Sequence, residues 1–72
     1  MKELRNHPFM DRRTVKAWET NSGSYVQVTD VRDLFHGCYS VERAVHGGLD
    51  SIYSSPNLDK CIERAERYAT QN

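Results

Sequence analysis

Residues 35–48 read FHGCYSVERAVHGG and place His36, Cys38 and His46 within eleven positions, with a second cysteine at Cys61. Imidazole and thiolate are the usual protein ligands of zinc, and a thiolate is also a nucleophile. A structural zinc site needs about four ligands, grouped in pairs at short spacing. Here one residue separates His36 from Cys38, His46 lies eight further on, and Cys61 fifteen beyond that. This matches no usual paired pattern. Cys61 also falls on an apolar helical stripe, where a thiol behaves as a small hydrophobe. A zinc or thiol site on His36, Cys38, His46 and Cys61 therefore ranks third among the readings of this chain. No cofactor is implied. Gly47–Gly48 reads as the end of a helix, whereas a phosphate cradle precedes one. A chain this short also supplies little of the supporting shell that a catalytic cleft needs, so an enzyme is not expected.

A second constellation is made of residues that recognise surfaces. Arg12, Arg13 and Lys16 precede Trp18, and Tyr25 follows across a turn. Trp, Tyr and Arg dominate protein interfaces. The same basic residues beside an aromatic ring would also suit phosphates and a stacked base.

The elements that position these residues are read from their periodicity. Residues 1–13 form a basic arm or edge segment, in which Pro8 removes an amide donor and Phe9 and Met10 serve as anchors. TVKAWETNSGSYVQVTDV reads as a β-hairpin around Gly23. A four-residue loop, Asn21–Ser24, would put Val15, Ala17, Val26 and Val28 on one face and Trp18 and Tyr25 on the other. A three-residue loop would instead join Trp18 to Val26 and Val28, because a slip of one residue reverses faces. The four-residue form is preferred, leaving Trp18 and Tyr25 exposed.

DVRDLFHG has the grammar of a short helix, with Asp30 as cap, Val31, Leu34 and Phe35 as apolar face, and Gly37 as stop. YSVERAVHGG repeats it, with Ser40 as cap, Val41, Ala44 and Val45 as face, and Gly47–Gly48 as stop. LDSIYSS alternates weakly and suits a third strand, with Leu49, Ser51 and Tyr53 on one side. SPNLDKCIERAERYATQN is the clearest helix. Ser55 is its expected cap, Pro56 its first position, and Leu58, Cys61, Ile62, Ala65, Tyr68 and Ala69 its stripe. Arg64 and Arg67 lie towards its C-terminus, in the favourable sense for the helix dipole.

Size and composition bound the rest. The chain has 72 residues, ten basic and ten acidic, and 38% hydrophobic residues. A domain of this length buries only roughly 60% of its unfolded surface. Leu, Ile, Val and Phe number fourteen, so the core is thin, while seven aromatics favour a packed state. Zero net charge speaks against a dedicated nucleic-acid binder. The opening Met1 and the lack of a tag-like run fit a small stand-alone gene product. No apolar run approaches the ~18 residues of a membrane span. Two cysteines without a secretory signal fit a reducing, cytoplasmic setting, the host cytoplasm for a viral protein.

Together these features predict one α+β domain. An antiparallel hairpin, with a third strand as an option, packs against two or three helices in the order β-β-α-(β)-α. The expected function is that of a small binding protein, an inhibitor, adaptor or regulator of the phage or mobile-element accessory kind. It would contact another protein, or a second copy of itself, through Arg12, Arg13, Lys16, Trp18 and Tyr25. A nucleic-acid-binding regulator using the basic arm is the alternative.

Overall fold

The computed structural model describes residues 1–34 and 36–72. Among these residues, five strands precede one helix. The strands are β1 (Lys2–Leu4), β2 (Thr14–Glu19), β3 (Tyr25–Asp30), β4 (Tyr39–Val45) and β5 (Gly48–Ser55), and the helix is α1 (Leu58–Gln71). They form one antiparallel meander in the order β1-β2-β3-β4-β5, and α1 packs across β2 to β5. The fold is therefore mostly β, which corrects the expected hairpin with two or three helices.

The correction centres on residues 30–48. Tyr39–Val45 is a central strand, pairing Val41 with Val28 on one side and with Tyr53 on the other. Val41 and Val45 are four apart, a spacing that serves a helix face and a strand face equally. The tertiary structure selects the strand because Val41 then completes a layer of valines. Ser40 consequently caps nothing, and its hydroxyl meets that of Ser51 at 2.8 Å. His46 and Gly47 form a two-residue hairpin loop closed by Val45 and Gly48, with Gly47 at φ 88°. The freedom that makes glycine a helix stop also makes it a hairpin residue. Asp30 ends β3, and its carboxylate accepts from the Arg32 amide in a local turn. Leu34 is exposed in that turn rather than buried in a helix; the burial expected of Phe35 lies outside the described residues.

The β2–β3 register is the three-residue form. Glu19 pairs with Tyr25 and Trp18 with Val26, leaving Asn21–Gly23 as the loop, with Gly23 at φ 84°. Thr20 closes it, donating its amide to the Ser24 carbonyl at 3.0 Å. An irregularity between Thr14 and Lys16 leaves Val15 on the surface. The expected sharing of a face by Val15, Ala17, Val26 and Val28 therefore fails, and Trp18 takes the place beside the valines.

Trp18, Val26, Val28 and Val41 form the sheet half of the core, against Cys61, Ala65 and Ala69 of α1. The helix stripe is as the periodicity predicts, with Leu58, Ile62 and Tyr68 at its margins. Its cap is Asn57, whose side chain accepts from the Lys60 amide, so the start lies two residues beyond the expected Ser55. Ser55 instead accepts from the Asn57 amide. No basic residue stands in the last turn. The orphan carbonyls there are met by the β2–β3 loop: the Asn21 amide donates to Ala69 and the Ser22 amide to Asn72, both at 2.9 Å.

Candidate functional site

The structure separates the residues expected to form a contact surface. Trp18 is 1% exposed beneath α1, because its register pairs it with Val26. Tyr25 is also buried, but on the opposite face of the sheet. Its ring stacks on His7 at 4.2 Å and meets Phe9 edge-on at 5.5 Å. The β1–β2 arm thus folds over Tyr25. Trp18 and Tyr25 therefore form no exposed pair.

Of the three basic residues expected at the contact surface, Arg13 and Lys16 face acids. Arg13 grips both carboxylate oxygens of Asp33, at 2.6 and 2.8 Å, and donates to the Asp30 carbonyl at 3.2 Å. This pairing pulls the Asp33 carboxyl down to about 2. Arg32 grips Asp30 in the same way, and that hydrogen bonding lowers the Asp30 carboxyl. Lys16 lies 3.7 Å from Glu3. Arg12 and these two pairs line an open concavity of about 560 Å³. Two of its three guanidiniums already face carboxylates, which reduces what a phosphate could gain there.

The candidate ligands do not converge, although half-buried Cys38 approaches Cys61. His36 precedes β4 and His46 follows it, so a seven-residue strand lies between them, roughly 20 Å of chain. Cys61 is fully buried in the core, where burial pushes its thiol up. Among the described residues, no three His, Cys, Asp or Glu side chains gather as a metal site.

A polar cluster does gather on the sheet face opposite α1. Strand alternation and pairing put Tyr25, Gln27, Thr29, Ser40, Glu42, Leu49 and Ser51 there. The Tyr25 hydroxyl donates to Gln27 Oε1 at 2.6 Å, and Gln27 Nε2 donates to Thr29 Oγ1 and Glu42 Oε1, each at 2.9 Å. Thr29 Oγ1 donates to the same Glu42 oxygen at 2.6 Å. Burial first, and then the charges of Asp11 and Glu42, push the Tyr25 phenol up to about 12. Beside this network lies a concavity of about 450 Å³ lined by Val31, Ser40, Glu42, Leu49, Ser51 and Ser54.

The first half of this site is visible in the sequence, since YVQVTD alternates Tyr25, Gln27 and Thr29 with Val26 and Val28. The second half is hidden by reading residues 40–45 as a helix. Only β pairing brings Glu42 opposite Gln27. No family model, curated protein or solved structure matches this chain. No helix is long and apolar enough to cross a membrane among the described residues.

Proposed function

We propose that this chain is a small binding protein that acts by contact with another protein, as an inhibitor, adaptor or regulator. Its contact face is the side of the sheet opposite α1, around Ser40, Glu42, Leu49 and Ser51. The supporting observation is the braced polar network there. Gln27 and Thr29 are almost fully buried and bonded to each other, and each donates one hydrogen bond that holds Glu42 at the rim of a concavity. Side chains fixed before binding lose less entropy on binding, which favours a specific contact. The hairpin face with Trp18 plays no part in this reading, because that ring belongs to the core.

The test begins with capture on the tagged protein in its native host, followed by purification of the captured partner. Calorimetry on the two purified proteins then compares wild type with Ser51→Arg, which places a bulky cation in the concavity. Wild type should bind, and the variant should bind about tenfold more weakly or worse, with an unchanged circular dichroism spectrum. Equal binding by a folded variant excludes this face.

A further inference from the structure

We infer that the concavity beside Glu42 receives a lysine or arginine side chain from the partner protein. This rests on the protein-contact reading above and adds the chemistry of what enters the site.

Glu42 is half-buried, and both of its hydrogen bonds from Gln27 and Thr29 reach one oxygen, Oε1. A carboxylate has two oxygens and about four acceptor positions. Its capacity is therefore only partly used. Among the described residues no cation pairs with it. Arg13 and Arg32 are held by Asp33 and Asp30, Lys16 lies by Glu3, and Arg67 by Glu63. Arg43, its neighbour in sequence, is turned to the other face and reaches Asp50. A partly desolvated carboxylate without a counter-charge favours a cationic visitor, whose bond to it is charge-assisted.

The walls specify what carries the cation. Val31 and Leu49 offer aliphatic surface, while Ser40, Ser51 and Ser54 offer hydroxyls. Lysine and arginine combine an apolar stem with a charged head, and so match both linings. A bare metal ion is a poorer match, since the site presents one carboxylate in a space of about 450 Å³. The hydroxyls of Ser40 and Ser51 already face each other at 2.8 Å, leaving their remaining lone pairs for an N–H donor.

The experiment uses the isotopically labelled full chain and follows amide shifts by NMR. The probes are Nα-acetyl-lysine methylamide, its arginine counterpart, the neutral norleucine isostere, and butylamine. The lysine or arginine probe should produce saturable shifts at Ser40, Glu42, Leu49, Ser51 and Ser54. Affinity for one isolated side chain should be on the order of millimolar. Norleucine should bind at least about tenfold more weakly, a difference of one charged contact. Glu42→Gln, which can still accept from Gln27 and Thr29, should lose the lysine response. Glu63→Gln on the outer face of α1 should keep it. No saturable shift, equal shifts with norleucine, or full retention in Glu42→Gln would each overturn the assignment. Tighter binding of butylamine than of the lysine probe would overturn it too, pointing to a free amine. Concentration-dependent self-association lost in Glu42→Gln would make the occupant a second copy and overturn the assignment to a different protein. None of these results decides whether the face binds a protein, because the calorimetric test with Ser51→Arg reads that separately.

Discussion

The two faces of the sheet are buried by different means. Towards α1, Trp18, Val26, Val28 and Val41 are covered by Cys61, Ala65 and Ala69. Small residues on the helix let it approach closely, and the indole fills the space. Stabilisation there grows with apolar area removed from water, about 25 cal/mol per Å². On the other face Tyr25, Gln27, Thr29 and Ser40 are almost as inaccessible, yet they contribute hydroxyls and an amide. Those groups are retained only because each has a partner. Net gains from such bonds are modest, whereas a buried group left without its partner is costly. The contrast separates what holds this protein together from the face proposed to meet a partner.

The largest expected effect tests the apolar face. Trp18→Ala should cost about 3–5 kcal/mol, the usual range for a deleted core indole, and leave a small domain largely unfolded in denaturant titrations. Destabilisation below about 1 kcal/mol would mean that Trp18 is not in the core. Next comes Glu42→Leu, which takes the acceptor from one N–H of the Gln27 amide and from the Thr29 hydroxyl. About 1–3 kcal/mol should be lost in chemical unfolding, while Glu42→Gln should lose clearly less. Equal losses in both variants would show that the hydrogen bonds do not matter to this face.

A smaller effect comes from Tyr25→Phe, about 1 kcal/mol for one buried hydrogen bond. It carries a distinct pH signature. The phenol is held up to about 12 in the folded protein, against about 10 in an unfolded chain. The fold thus disfavours tyrosinate. The contribution is complete below pH ~10 and lost as pH rises from there towards ~12. Thermal melts of wild type should fall across this window, and those of Tyr25→Phe should fall less. The smallest effect is expected on the surface, at Arg13→Gln. Because the Asp33 carboxyl is pulled down to about 2 by Arg13, this pair contributes above pH ~4 and is lost as pH falls from there. The variant should melt almost as wild type does at neutral pH and show a shallower acid decline. A loss at neutral pH comparable to that of Glu42→Leu would contradict a solvent-screened pair.

Much of this architecture is legible residue by residue. The apolar stripe from Leu58 to Ala69 is a helix and could hardly be anything else, since six positions keep helical spacing over three turns. The alternation in YVQVTD marks β3, and the valines and threonines mark the hairpin. Residues 39–45 were open to either period because Val41 and Val45 fit both, and serine, glycine and histidine punctuate helices and hairpins alike. One residue of register decided whether Trp18 faces solvent or core. The local sequence allows both loops, and it was the burial of the indole under α1 that selected one. The candidate site depended on the same choice, since Glu42 reaches Gln27 only as its cross-strand neighbour.

The amino-acid sequence alone determined the C-terminal helix, its buried stripe, the first hairpin and the balance of charge. Those properties depend on neighbours a few residues apart, within reach of propensity and periodicity. The tertiary structure decided that residues 39–45 join the sheet and that Trp18 joins the core. It also decided that Tyr25, Gln27, Thr29 and Glu42 meet on the face opposite α1. Those outcomes require pairing between distant strands, and what fixes them is the cost of leaving an indole, a valine layer and a set of polar groups without partners.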